Sequence, residues 1–167
     1  MKKRIYSFYF LVFFYATGLQ IWGQQHIIPI SYIDKVMKEE AKPILLYLTS
    51  GQCKYCALQK HQLEKMGFYA EKADYFYFIE WDINGEDSFL FAGEFHIFRA
   101  VGLGSGRHTF VDWLNVDSRA LPAWVLFDPN YNKIFERQGF INEREWVELC
   151  SAIYTFAEEL PKDTINK

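Results

Sequence analysis

Two cysteines in the first half of the chain have the spacing of a redox-active dithiol. Cys53 and Cys56 are separated by Lys54 and Tyr55, and the third cysteine of the chain is Cys150. Two cysteines one helical turn apart are close enough to close a disulfide. Such a disulfide exchanges with other disulfides through attack by a thiolate. The spacing therefore predicts thiol–disulfide chemistry at residues 53–56.

The neighbouring sequence predicts that this pair lies at the beginning of a helix. The apolar run Ile44–Leu48 indicates a buried strand, and after a short turn a helix is predicted from Cys53 to about Met66. The first turn of a helix has unpaired N–H groups and a partial positive charge, and both stabilise a thiolate. Lys54 adds a positive charge, so Cys53 is predicted to attack. Cys56, one turn further into the helix, is predicted to be the resolving thiol.

A zinc site is the alternative use of a Cys-x-x-Cys pair. A structural zinc site needs four ligands, and the chain has no second cysteine pair. His61 is on the predicted helix of Cys56 but lies about 140° around its axis. We therefore predict no bound metal and no other cofactor.

Two other reactive residues have simpler structural interpretations. Cys150 lies on the apolar stripe of the last predicted helix, so we expect a buried, inert thiol rather than a third redox partner. His108 follows Gly106 and Arg107, and we expect it to begin a short helix with its ring in solvent.

The N-terminus has the features of an export signal. Residues 2–4 are basic, Ile5–Tyr15 is almost wholly apolar, and small residues follow before residue 24. We predict a signal peptide over residues 1–24, with an uncleaved anchor as the alternative because apolar character continues weakly to Trp22. The mature protein is then expected to be soluble in the periplasm or outside the cell, with no stable membrane insertion.

The chain after the predicted signal peptide has the composition of one globular domain. We predict this domain over residues 25–161, followed by a polar tail at 162–167. The whole chain is 50% hydrophobic and 23% charged, with a net charge of −3. Removal of the leader, which contains basic but no acidic residues, makes the net charge more negative. An acidic domain without a Lys/Arg cluster is not expected to bind nucleic acid.

The order of the predicted elements indicates an α/β fold with a central mixed sheet flanked by helices. A first helix, capped by Ser31 with Asp34 three residues later, precedes the strand before the dithiol. After the dithiol helix come a second strand, an irregular segment, a strand pair and a last helix capped by Asn142. The three later strands are predicted at Tyr75–Ile83, Ala123–Phe127 and Lys133–Gln138.

The segment from about residue 84 to 121 is predicted to contain a hairpin, a loop and a helix. Phe89–Phe91 and Phe95–Phe98 flank a short turn and favour the hairpin. Three glycines between residues 102 and 106 favour a flexible loop. The apolar residues of 110–114 favour a short helix.

This arrangement resembles the thioredoxin superfamily. The matching features are the strand that leads into Cys53-x-x-Cys56, the Leu121-Pro122 dipeptide before Ala123–Phe127, and Gly139 before the last helix. The resemblance implies the thioredoxin fold, a cis peptide bond at Leu121–Pro122 facing the dithiol, and pairing of the Leu121 backbone with an extended substrate chain. The segment 84–121 is then a hairpin-loop-helix insertion, which is similar to that of a group of exported bacterial thioredoxin-like proteins.

Three positions depart from the pattern of that superfamily. Gln52 stands where a tryptophan usually precedes the first cysteine, and Tyr47 stands where a buried acid usually lies. The Lys54-Tyr55 dipeptide, which tunes the reduction potential in these proteins, matches neither thioredoxin nor the strong periplasmic oxidases.

These observations predict an exported thiol:disulfide oxidoreductase that acts on protein thiols and disulfides and exchanges electrons with an unidentified redox partner. The alternative is a peptide-binding or chaperone-like module with little redox activity. Such a module would hold extended chains at the Leu121-Pro122 edge.

Overall fold

The computed structural model describes residues 27–68, 74–102 and 105–160, and only the backbone of Ser105. The predicted signal peptide and the polar tail lie outside these residues. Within this part of the chain, no helix is long and apolar enough to span a membrane.

The described chain contains the predicted alternation of strands and helices. The strands are β1 (Ile44–Thr49), β2 (Tyr77–Asp82), β3 (Phe89–Phe91), β4 (Glu94–His96), β5 (Phe98–Gly102), β6 (Ser105–His108), β7 (Ala123–Phe127) and β8 (Lys133–Gln138). The helices are α1 (Ile33–Glu39), which a short 3-10 turn precedes, α2 (Lys54–Lys65), α3 (Thr109–Leu114) and α4 (Glu143–Glu159).

Four of the strands form a central mixed sheet in the order β2-β1-β7-β8. The β1 and β2 strands are parallel, whereas β7 is antiparallel to both β1 and β8. Leu48 near the end of β1 lies opposite Trp81 of β2 and Ala123 of β7. The end of β1, which leads to the dithiol, therefore lies at the same edge of the sheet as the beginning of β7.

Both faces of the sheet are covered, which explains why β1 is a continuous apolar run. Alternate residues such as Leu46 face α1, β3 and α3. The residues between them, such as Leu45 and Tyr47, pack with α2 and α4. The predicted α/β fold with helices on both faces is thus confirmed.

The segment from 84 to 121 contains two hairpins rather than the one predicted. The first pairs Phe89 with His96, close to its predicted position. The second pairs Phe98 with His108, so Gly102 and Gly106, which were expected in a flexible loop, belong to β5 and β6. Gly106 allows this pairing because the Phe98 ring occupies the space that a Cβ at position 106 would need.

The expectation that the His108 ring is in solvent is wrong. His108 caps α3 as predicted, but its side chain is fully buried. Its Nδ1 accepts a hydrogen bond from the Phe110 N–H at 3.1 Å, and its Nε2 lies 3.0 Å from the Asp87 carbonyl oxygen. The burial of this polar ring is tolerated because both of its nitrogens have backbone partners.

The two predicted helix caps have different outcomes. Asn142 caps α4, as predicted, and the structure shows that it forms a capping box with Glu145. No side chain caps α1 or the turn before it. The Asp34 carboxylate instead accepts hydrogen bonds from the N–H groups of Ala92 and Gly93 at 3.0 and 2.8 Å, and it thereby connects α1 to the first hairpin.

Candidate redox site

Cys53 and Cys56 form a disulfide, with their Cα atoms 5.2 Å apart. Cys53 is the N-cap residue of α2, and Cys56 lies in the first turn of that helix. The loop that connects β1 to α2 therefore brings the dithiol to one edge of the sheet, as the sequence predicted.

The sulfur of Cys53 occupies the position of a helix-capping group. Its Sγ accepts a hydrogen bond from the backbone N–H of Cys56 at 3.0 Å. A side-chain acceptor at an N-cap satisfies one of the unpaired N–H groups of the first turn. When the disulfide is reduced, this N–H group and the partial positive charge of the helix end stabilise a thiolate on Cys53.

The two sulfur-bearing residues differ in exposure. Cys53 is partly exposed, whereas the exposed fraction of Cys56 is 2%. Lys54 and Tyr55 between them are exposed, Tyr55 to 66%. An approaching disulfide therefore meets Cys53 before Cys56.

The loop before Cys53 is held by the end of β2. The Asp82 carboxylate accepts a hydrogen bond from the Gly51 N–H at 3.1 Å, and the Asn84 side chain donates to the Ser50 hydroxyl at 3.0 Å. Neither Asp82 nor Asn84 was predicted from the sequence to support the site. The parallel pairing of β1 and β2 could have indicated them, because it brings the carboxyl ends of both strands to one edge of the sheet.

A buried glutamine holds α2 to the loop after β8. Gln59 is fully buried, and its amide donates to the Ile141 carbonyl oxygen at 3.1 Å and accepts from the Ile141 N–H at 2.7 Å. Both backbone polar groups of Ile141 are thus paired with one side chain. The interaction spans 82 positions in sequence, and no local pattern indicates it.

Tyr47 contacts the dithiol helix from the sheet below. Its ring is fully buried and lies 4.4 Å from the ring of Trp124 between centroids. Its hydroxyl donates a hydrogen bond to the carbonyl oxygen of Cys56 at 2.9 Å. In place of the expected buried acid, position 47 therefore carries a buried hydroxyl that contacts Cys56.

Leu121 and Pro122 lie at the same edge of the sheet as the dithiol. Their peptide bond is cis, as the resemblance implied, and Pro122 directly precedes Ala123, the partner of Leu48. The Pro122 carbonyl accepts a hydrogen bond from the Gly139 N–H at 2.7 Å. Within the described residues, the backbone N–H and C=O of Leu121 have no hydrogen-bond partner.

Cys150 lies far from the dithiol in the sequence, and its side chain belongs to the same buried apolar cluster as Cys56. It lies on α4, is buried, and is not part of a disulfide. This agrees with the expected structural role.

Solved structures with a similar fold are thioredoxins. The thioredoxin Mala s 13 of Malassezia sympodialis aligns with a TM-score of 0.51 and 16% identity, over 84% of this chain and 98% of that chain. Thioredoxin O2 of Arabidopsis thaliana in its oxidized state aligns with a TM-score of 0.48 and 16% identity, over 78% of this chain and 96% of that chain. No protein-family model and no curated protein sequence matches the chain. The similarity to Mala s 13 shows the fold, and the site has to be interpreted from its own geometry.

Proposed function

We propose that this protein is a thiol:disulfide oxidoreductase that acts on protein thiols and disulfides through Cys53 and Cys56. The observation that carries the proposal is the Cys53–Cys56 disulfide at the N-terminus of α2, in which the partly exposed sulfur accepts a first-turn N–H group. A disulfide that only stabilises a fold does not need an exposed sulfur at the end of a helix.

The exchange proceeds in two balanced steps. In the reduced protein, the Cys53 thiolate attacks one sulfur of a client disulfide, forms a mixed disulfide and releases the other client sulfur as a thiolate. Cys56 then loses its proton and attacks the Cys53 sulfur, which releases the second client thiolate. The client gains the two electrons that the dithiol loses, and the same steps in reverse oxidise a client dithiol.

The unpaired backbone of Leu121 supports a role in client binding. An extended client chain that crosses this edge of the sheet can pair with the Leu121 N–H and C=O groups, which have no partner among the described residues. Lys54 and Tyr55, inside the dithiol turn, then tune its reactivity.

The proposal includes export to the periplasm or the exterior. The basic and apolar character of residues 2–15 supports it, together with the small residues before residue 24. N-terminal sequencing of exported protein tests this part: a mature terminus between about residues 18 and 25 is expected. Intact Met1 in the membrane fraction would instead indicate an anchor.

Single-turnover exchange tests the activity. The purified protein is reduced, freed of reductant and mixed with a peptide that contains an intramolecular disulfide, and the release of peptide thiols is followed. We expect the dithiol and the peptide disulfide to exchange until they reach equilibrium, which releases peptide thiols, and we expect no release by the variant with both Cys53→Ser and Cys56→Ser. Equal binding of peptide by both proteins without any thiol release would favour the peptide-binding alternative.

A further inference from the structure

The helix that carries the dithiol, α2, has large apolar side chains on its exposed side. Tyr55 is 66% exposed, and Leu58, one turn further, is 52% exposed. Beyond Leu58 a groove of about 380 Å³ lies between α2 and the beginning of α4, and its lining includes Gln62, Lys65 and Met66. Residues three and four positions apart are neighbours on a helix surface, so these side chains form one continuous strip that starts at the disulfide. We call residues 55, 58, 62, 65 and 66 the α2 strip.

The charge of α2 is opposite in sign to that of the chain. The helix contains three lysines and one glutamate, whereas the whole chain has a net charge of −3. Lys60 forms an ion pair with Glu80 at 3.1 Å. Lys54 and Lys65 have no ion pair with any described residue. An anionic group is therefore attracted to Lys54 and Lys65, although the carboxylate of Glu143 lines the same groove as Lys65.

The covalent chemistry of the site determines what must lie on this surface. During exchange the client is bonded to the sulfur of Cys53, so the residues on either side of its cysteine lie over the neighbours of Cys53. One flank can pair with Leu121, and the other then crosses Tyr55 toward Leu58. Leu58 is five residues after Cys53, about 7.5 Å along the helix axis. An extended chain covers that distance with about two or three residues.

We propose that the α2 strip binds the client segment on one side of its reactive cysteine and selects its sequence. The preferred segment has an apolar side chain two or three residues from the cysteine, which packs on Leu58 and Tyr55. Its acidic side chains interact with Lys54 and Lys65. This inference rests on the proposed oxidoreductase function and specifies the class of client.

Three peptide disulfides test the selection. Each is the symmetric dimer of a short peptide with one central cysteine. The first has leucine two residues from the cysteine on both sides and glutamate at the remaining positions. The second replaces both leucines by serine, and the third replaces the glutamates by lysine. We expect reduced wild-type protein to react about tenfold faster with the first peptide than with the second or the third, a difference that corresponds to about 1.4 kcal/mol. Added salt should remove the preference for glutamate and leave the preference for leucine.

Matched variants assign the selection to the strip. Leu58→Asn should abolish the preference for leucine, whereas Leu90→Asn should retain it, because Leu90 is a leucine of nearly equal exposure (49%) on β3. Lys65→Glu should reduce the preference for glutamate, whereas Lys38→Glu on α1 should not. The reaction of each variant disulfide with dithiothreitol should equal that of wild type, which shows that the dithiol itself is intact.

The outcomes separate this inference from the proposed function. Equal rates for all three peptides, or equal effects of Leu58→Asn and Leu90→Asn, would overturn the selection while the oxidoreductase function stands. If the wild-type protein reduces none of the peptides, both proposals are overturned.

Discussion

The reactivity of the site is determined at the scale of single residues by the different surroundings of its two sulfur atoms. Cys53 is partly exposed and its sulfur accepts the N–H of Cys56 at 3.0 Å, whereas Cys56 is buried. The stabilisation of a thiolate by a helix end is strongest at the first residue and decreases within the first turn. Both differences support the proposal that Cys53 attacks the client.

Trapping of mixed disulfides tests this assignment. Cys56→Ser should accumulate covalent client complexes, because attack by Cys53 is intact and release is blocked. Cys53→Ser should give none, because the remaining thiol is buried. Non-reducing gels of cell extract, with and without reductant, detect these complexes. Equal trapping by the two variants would overturn the assigned roles.

The same gels test the structural role of Cys150. It is buried on α4, so Cys150→Ser should leave trapping unchanged in the wild-type and in the Cys56→Ser background. Complexes that disappear with Cys150 would show that this thiol takes part in the exchange.

Tyr47→Phe tests the contact between the sheet and the dithiol helix. The substitution retains the ring against Trp124 and removes the hydrogen bond to the Cys56 carbonyl. We expect the free energy of unfolding of the oxidised protein to fall by about 1 kcal/mol, measured by urea denaturation. Tyr55→Phe, at an exposed position, should have no effect on stability. An unchanged stability of Tyr47→Phe would show that this hydrogen bond contributes nothing net.

At the scale of elements, α2 is positioned by contacts far apart in sequence. Gln59 holds the helix to Ile141, and the Asp82 carboxylate holds the loop before it through Gly51. These contacts fix the beginning of α2 at the edge of the sheet where β1 ends. The dithiol therefore depends on the loops after β2 and β8 as well as on its own helix.

Gln59→Leu tests the contact with Ile141. The variant leaves a buried N–H and a buried C=O of Ile141 without partners, so we expect a loss of about 2–4 kcal/mol in the free energy of unfolding. Gln138→Leu, on the exposed side of β8, is the control and should change stability by less than about 0.5 kcal/mol. Equal effects of the two substitutions in urea denaturation would contradict the account of Gln59.

The sequence predicts those elements whose patterns are local. The β1 strand and the helix after it follow from the run Ile44–Leu48 and from Cys53, and the cap of α4 follows from Asn142. The roles of Gln59 and His108 could not be predicted, because each depends on backbone groups that only the folded chain brings near. The second hairpin was not predicted because glycines in a sequence usually indicate a turn. Here Gly106 instead lies in a strand and leaves room for the ring of Phe98.

At the scale of the whole molecule, one face of the sheet is covered by an aromatic cluster that contains a buried histidine. His96 is 3% exposed and packs against Phe89, Phe110 and Trp113. Burial lowers the pKa of His96 below its usual value, and proximity to His108 acts in the same direction, whereas Glu94 and Asp34 oppose it. The folded packing of the segment from 84 to 121 therefore favours the neutral form of His96 over the charged form.

The pH dependence of stability tests this environment. Above about pH 7.5, one unit above the usual histidine pKa of about 6.5, His96 is neutral in both the folded and the unfolded state and does not make stability depend on pH. Below that pH the unfolded state binds the proton more strongly, so stability should fall between pH 7 and pH 5. His96→Phe should make the free energy of unfolding depend less on pH, whereas His61→Gln at an exposed position should not. The same pH dependence in wild type and His96→Phe would contradict the prediction.

The reduction potential of the Cys53–Cys56 couple tests the central claim most directly. It is measured by equilibrating the protein with glutathione buffers and separating the oxidised and reduced forms by mass. If the dithiol exchanges electrons with clients, its potential should lie within the span of known thiol oxidoreductases, from about −270 to about −120 mV. A potential below about −300 mV is that of a structural disulfide and would contradict the assignment of this site as a redox centre.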